Sequence, residues 1–331
     1  MSSDQLRRRA FILVLGGAAA WPLAARAQQA AMPVIGFLHA GASTAHAHVV
    51  AAFHQGLKES GYAEGRNMAI EYRWANNENE RLAQLATDLV DRQVAVIVSS
   101  GGGPSALAAK AATSTIPIVV VFGGDPVRLG LVASLSRPGG NVTGVTFITT
   151  ELMAKRLDLL RQLVPQATTV AYLADLRSVV GQGMLHDMLG AASKLGRQVA
   201  VVEARNNRDF EAAFTTFIDG GARALVVGAS ALFDSHRDQL VALAARHKLP
   251  AIYQAREYTT DGGLMSYGAS YGDAFRLGGR YVAQILKGVK PADLPFEESS
   301  RLEFVINMKT ATALGLDVPP TMLIRADELI E

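Results

Sequence analysis

The chain has 331 residues, 49% of them apolar and 19% charged, with 32 Lys and Arg against 30 Asp and Glu. The absence of cysteine excludes disulfides, thiolate catalysis, Cys-based zinc sites and a lipid-modified N-terminal cysteine. Residues 1–27 hold Arg7, Arg8, Arg9 and Arg26 against Asp4 alone, so without them the formal charge of +2 becomes −1 and no basic face for nucleic acid is implied.

The three arginines precede an apolar run, Phe11 to Ala20, and the small-residue triplet Ala25-Arg26-Ala27 stands before Gln28. A charged start, a short apolar middle and an A-x-A end read as a cleaved export signal over 1–27. The run falls short of the ~20 residues a spanning helix needs. Arg8-Arg9-Ala10-Phe11-Ile12 resembles a twin-arginine signature, with general secretory export as the other route.

From Val34 onward, strand and helix patterns alternate. Val34–Leu38 is a compact apolar run, followed by Val49, Val50, Phe53 and Leu57 at helical spacing with Ser43 or Thr44 as a cap. Met68–Tyr72 reads as a second strand, and Leu82, Leu85, Ala86, Leu89 and Val90 as a second helical stripe. Val94–Val98 is apolar throughout, as expected of a parallel strand covered on both faces, and Ile116–Val121 follows a short Ala-rich helix. The order then returns: Val170–Leu173, a Phe210/Phe214/Phe217 core stripe, Ala224–Val227, and Leu249–Tyr253. Offsets of 136, 130 and 133 relate Val34 to Val170, Val94 to Ala224 and Pro117 to Pro250. Such a near-constant shift predicts two α/β lobes, each a doubly wound parallel sheet, with strand tips facing across a cleft. The tail supplies a helix through Phe275, Val282, Ile285 and Leu286, a strand from Leu302 to Ile306 and a helix with Ala311 and Leu314. Too little remains for a third lobe, so these pieces complete the first two and the chain crosses between lobes more than once.

The segment GGDPVRLGLVASLSRPGGNVTGVT (residues 123–146) resembles one family of ABC-transporter substrate-binding proteins, the periplasmic type related to tryptophan- and tyrosine-binding transport proteins. VIGFLHAG (34–41), EGRNMAIEYRWA (64–75), GGLMSYG (262–268) and NMKTATALGLDVPP (307–320) resemble it as well. The resemblance implies the class I periplasmic-binding-protein fold: two Rossmann-like lobes, three inter-lobe crossovers and hinge closure around a small molecule. On that basis lobe 1 is expected over 28–147 plus 268–298, and lobe 2 over 148–267 plus 299–331. It also implies a permease and an ATPase in the inner membrane as partners, a soluble monomer in the periplasm, and no enzymatic activity or cofactor. Where relatives often carry an Asn-Pro loop, this chain has Ala174-Asp175-Leu176-Arg177-Ser178, an acid and a base in place of a largely neutral turn, so the resemblance alone does not carry over the relatives' amino-acid specificity.

Candidate ligand-binding residues stand where strand ends meet helix starts. Ser100, Gly101, Gly102 and Ser105 belong to a glycine-rich turn whose helix start offers free N–H groups to a carboxylate; a tight turn with Pro104 in the first helical turn explains the same residues. Gly124 and Asp125 follow the fourth strand, where the acid pairs with a ligand amine or caps a helix; Ser43 has the same two readings. Asp175 and Ser230 occupy the corresponding strand ends of lobe 2. Tyr253, Glu257 and Tyr267 follow the later strands, where a tyrosine stacks on a ligand ring or packs half-buried. His39, His46, His48 and His54 read as a solvated helix face, not a metal cluster. Gly228–Leu232 begins like a nucleophile elbow but lacks the closing glycine, and there is neither a Walker motif nor a G-x-G-x-x-G.

The expected function is therefore solute binding for import, with an amino-acid-like or aromatic acid as ligand. A periplasmic hydrolase on the same architecture and a ligand sensor for a membrane receptor are the alternatives.

Overall fold

The computed structural model describes residues 32–147 and 152–331. The export-signal reading falls on 1–27, outside the described residues. Lobe 1 opens with β1 (Val34–His39), α1 (Ala47–Glu59), β2 (Ala69–Trp74), α2 (Leu82–Asp91), β3 (Val96–Ser100), α3 (Gly103–Ala112), β4 (Ile118–Gly123) and β5 (Val142–Phe147). The chain then passes to lobe 2: α4 (Met153–Leu163), β6 (Thr169–Ala174), α5 (Val179–Lys194), β7 (Gln198–Glu203), α6 (Asp209–Asp219), β8 (Ala224–Val227), α7 (Ala231–Ser235), α8 (Arg237–Arg246), β9 (Ala251–Tyr253), α9 (Arg256–Thr260) and β10 (Met265–Ala269). It returns to lobe 1 as α10 (Tyr271–Leu286) and β11 (Glu297–Ser299), then crosses again to finish lobe 2 with β12 (Leu302–Asn307), α11 (Met308–Ala313), α12 (Pro320–Leu323) and β13 (Glu328–Ile330).

The two sheets are ordered β11-β5-β4-β3-β1-β2 and β13-β12-β10-β9-β8-β6-β7. The lobe 1 pairings are all parallel, and in lobe 2 only β10 and β12 run antiparallel. The two lobes repeat one arrangement: β1 lies between β2 and β3, as β6 lies between β7 and β8. At β1 and at β6 the winding reverses direction, and the loops that leave the sheet there diverge. That divergence opens a crevice at the strands' C-terminal ends, the place where open α/β sheets bind ligands.

Burial explains the strand and helix patterns. β3 is buried at every position, and its Val96–Val98 run supplies apolar side chains to both faces before Ser99 and Ser100 end the strand. Phe210, Phe214 and Phe217 are fully buried under the lobe 2 sheet, as their helical spacing predicts. In lobe 1, α10 lies on α1 in near backbone contact. A Cβ on Gly279 would stand 2.3 Å from the Phe53 carbonyl oxygen, and one on Gly56 1.9 Å from that of Arg276. No side chain fits in that seam, so glycine at both positions sets the helix spacing.

Candidate functional site

The two crevices face each other and enclose a cleft of about 940 Å³, counting its open mouth. From lobe 1 it is lined by the loops after β1, β2 and β3, the ends of β4 and β5 and the start of α10, and from lobe 2 by the loops after β6 and β8. The loops after β1, β3, β6 and β8 are those at the winding reversals.

In lobe 1, His39 ends β1 on the face that carries Ile35 and Phe37, and is 1% exposed. The Gly41 N–H donates to its Nδ1 at 2.8 Å, which leaves the proton on Nε2. His46 takes the opposite tautomer, because its Nδ1 lies 2.8 Å from the Ala42 carbonyl and must donate. The two rings pack at a tilt with centroids 4.2 Å apart, and Trp74 lies 4.9 Å from His39. Burial pushes His46 down to about 4 despite the Ala42 carbonyl, and burial with the neighbouring His46 and His48 carries His39 well below its ordinary value. Both line the cleft as neutral imidazoles. The expectation of a solvated histidine face is thus corrected for this pair: the β1 alternation carries His39 inward, and the turn at Thr44–His46 folds His46 over it.

Gly101 and Gly102 lead into α3 with φ of +83° and +115°, a region that disfavours side chains. A Cβ on Gly101 would also meet the Ala40 nitrogen at 2.8 Å. The backbone at the helix start therefore lies bare against the cleft.

In lobe 2, Asp175 follows β6 and is gripped from several sides. Arg177 donates from Nε at 2.8 Å and from Nη2 at 2.7 Å, and the Ser230 hydroxyl donates at 2.6 Å. Burial pushes the Asp175 carboxyl up, but these donors outweigh it and hold the group below the usual carboxylate range. Ser230 also accepts from the Leu232 N–H at 3.1 Å and so caps α7. Asp234, one turn further on, lines the cleft as well. Its Oδ1 accepts from Gln254 Nε2 at 2.5 Å and from the Tyr258 hydroxyl at 3.0 Å. Burial is the main reason its carboxyl is pushed up to about 7.

One flank of the cleft is shut by contacts between the lobes. Ser235 Oγ accepts from the Ala42 N–H at 3.3 Å and donates to Asn77 Oδ1 at 3.1 Å. Arg237 donates to the Ala45 carbonyl at 2.8 Å, and His48 meets Glu257 at 3.2 Å. The lobes stand in a closed arrangement.

Of the residues named from sequence, Gly101, Gly102, Asp175 and Ser230 line the cleft together. The others lie elsewhere. Ser100 and Ser105 are fully buried, with the Ser105 hydroxyl turned back on the Ser100 carbonyl at 2.6 Å. Ser43 is an exposed turn residue whose side chain makes no cap bond. Asp125 is exposed and caps its own turn, accepting from the Val127 N–H at 2.8 Å. Gly124 packs near lobe 2, since a Cβ there would meet Val180 Cγ2 at 3.0 Å. Tyr253 is sealed in the lobe 2 core, stacked on Tyr258 at 4.6 Å, because strand alternation turns it to the same face as Ala251. Tyr267 packs against the other lobe 2 core with its ring 6.2 Å from Phe304, and its carbonyl accepts from Arg156 at 2.7 Å. Glu257 meets His48 beside the cleft. Sequence reasoning missed His39, Asn77, Arg177, Asp234 and Tyr271 as lining residues. The signal for His39 is its place on the Ile35–Phe37 face. For Asp234 it is the distance of one helical turn from Ser230.

The family model described as ABC transporter substrate binding protein matches residues 35–330. A tyrosine-binding protein of Clostridioides difficile is 28% identical over 267 residues, which cover 80% of this chain and 75% of that protein. A solved domain from Streptococcus pneumoniae in complex with L-Trp is 25% identical, covers 90% of this chain and 99% of its own, and superposes with a TM-score of 0.81. A ligand-free, open substrate-binding protein from Clostridium difficile, also 25% identical with the same coverage, gives 0.64. The better match to the ligand-bound relative agrees with the closed lobes seen here.

Proposed function

The chain belongs to the ABC transporter substrate-binding protein family, and from that premise we propose that it captures an aromatic amino acid between its lobes for an importer. The observation that carries this reading is the composition of the cleft. Phe147, Tyr271 and Phe275 pack together along the cleft, with Phe147 and Tyr271 at 5.2 Å, and Phe122 lines it separately, while Arg177 and the bare start of α3 offer donors. A ring seated on the first and a carboxylate held by the second describe an amino acid of the tryptophan or tyrosine kind. The similarity to relatives named for tyrosine and L-Trp supports the same choice.

The proposed cycle is a population shift. A ligand touching both lobes stabilises the closed form, and the membrane subunits read that form. Delivery takes place outside the cytoplasm, where residues 1–27 would direct the chain. No bond is made or broken in this cycle. The Ser230 hydroxyl, which points at Asp175 and caps α7, is already engaged in structure.

Titration of residues 28–331 with L-tryptophan, L-tyrosine and L-phenylalanine, with leucine as control, tests the reading. Ligand at a hundred times Kd is expected to add ~2.7 kcal/mol to stability, visible as a thermal shift. An aromatic series without any shift would sink it. Arg177→Ala is expected to weaken capture about tenfold by calorimetry, through loss of one charge-assisted contact to the carboxylate. Unchanged affinity would place the ligand carboxylate elsewhere.

A further inference from the structure

Two carboxylates line the cleft, and they differ in what they have left to offer. Both oxygens of Asp175 are taken: Oδ1 by Arg177 Nε, and Oδ2 by Arg177 Nη2 and the Ser230 hydroxyl. Its charge is already balanced by a guanidinium. Asp234 is held on one side only. Gln254 and Tyr258 both donate to Oδ1, and Oδ2 has no partner among the described residues. An amino acid brings an ammonium group as well as a carboxylate, and a desolvated ammonium needs an anionic acceptor.

We propose that Asp234 receives the ligand's ammonium group on Oδ2 and surrenders its own proton to solvent as it does so. This rests on reading the cleft as an amino-acid site. Because Oδ1 already accepts two hydrogen bonds, the proton of the free protein sits on Oδ2, on the side left open. An incoming N–H would meet that O–H head on. The exchange therefore balances as a neutral carboxyl plus an ammonium going to a carboxylate–ammonium pair plus one released proton.

The charged and titratable neighbours of Asp234 come from every element around it. Glu257 and Tyr258 lie on α9, Arg237 on α8, Tyr271 on α10, and His46 and His48 on the lobe 1 turn and helix opposite. Arg237 is itself bound to Asp261 at 2.6 Å, and Glu257 to His48 at 3.2 Å. Arg237 therefore supplies Asp234 with no free counter-charge, and Glu257 is an acid like Asp234 itself. Burial leads the causes that put the Asp234 proton near neutrality, with Glu257 adding to it and Tyr258, Gln254 and Arg237 opposing.

The test is calorimetry with L-tryptophan at pH 6 and pH 8, each in two buffers of different ionisation enthalpy. At pH 6 close to one proton is expected to leave per L-tryptophan bound, and at pH 8 almost none. Affinity is expected to fall about tenfold from pH 8 to pH 6, the linkage of a single proton. 3-Indolepropionate, which lacks the amine, is expected to bind without that proton release and without loss of affinity at pH 6. Asp234→Asn is expected to abolish the pH dependence for L-tryptophan and to leave 3-indolepropionate unaffected. The proton count on the unaltered protein decides the matter even if that variant fails to fold. L-Tryptophan binding with buffer-independent heat and a flat pH profile overturns the role of Asp234 and leaves the amino-acid reading intact. Binding of 3-indolepropionate with no aromatic amino acid bound at either pH overturns both.

Discussion

Alanine in place of Gly279 is expected to destabilise the protein by about 3 kcal/mol, although the same change gains about 1 kcal/mol in an unhindered helix. Two effects of opposite sign meet at this position. Helix propensity favours alanine, because glycine loses more backbone freedom on folding. Packing opposes it, because the added carbon would lie 2.3 Å from a backbone carbonyl of α1, which has no rotamer to escape into. The helices must move apart by about 1 Å along their seam, and every contact between them weakens. Gly190→Ala on the exposed face of α5 is the matched control: a Cβ there meets nothing within 4 Å, so it is expected to stabilise by about 0.5–1 kcal/mol. Urea unfolding of the two variants measures both. A gain in stability for Gly279→Ala would refute the close approach of α1 and α10.

The second large effect is expected on acidification. His46 is 4% exposed and its imidazole is held neutral down to about 4, against an unfolded value near 6.5. A histidine depressed in this way contributes stability above the unfolded value, and loses it as pH falls to the folded value. The loss amounts to about 3 kcal/mol between pH 6.5 and pH 4. Asp234 works the other way. Its carboxyl is raised to about 7, so its contribution is present at low pH and lost as pH climbs through 7. The whole-protein profile is a sum of such opposing slopes, and only a difference isolates one group. His46→Phe keeps an aromatic ring against His39 and removes the titration. Relative to the unaltered protein, it is expected to become more stable by about 3 kcal/mol on going from pH 7 to pH 4. A constant offset between the two profiles would show that His46 does not titrate in this range.

The architecture was legible because parallel strands must be apolar on both faces. Val94–Val98 announces β3, and Ala224–Val227 coincides with β8. The recurrent offset corresponds to the equivalence of β1 and β6, each lying next to the edge strand of its sheet. β5 was harder to see, because Val142–Phe147 alternates valine with threonine and glycine and has no continuous apolar run. The cleft was legible as a set of loops but not as a set of side chains. Residue chemistry favoured Tyr253 as a ligand contact, whereas the two-residue period of β9 commits it to the core with Ala251. Asp234 resembles any first-turn acid of a short helix. Only the fold brings Gln254 and Tyr258, from β9's exit loop and from α9, onto the same oxygen. The Asp175–Arg177 pair lay in plain view in one loop, but that Ser230 also donates to Asp175, and that Asp234 stands beside the pair with an oxygen left open, exists only in the fold.

The way the tail is shared between the lobes bears on how the protein comes off the ribosome. Helix α10, which seals lobe 1 against α1, is synthesised after β10, and β12 and β13, which complete the other sheet, come later still. The N-terminal lobe thus waits, partly assembled, while more than a hundred residues of its neighbour are translated. Vectorial folding, one domain at a time, is denied to it. Its decisive contacts join distant parts of the chain, which slows folding and prolongs exposure of the α1 seam to chaperones and proteases. For the same reason neither lobe can be excised or traded between relatives as a contiguous cassette.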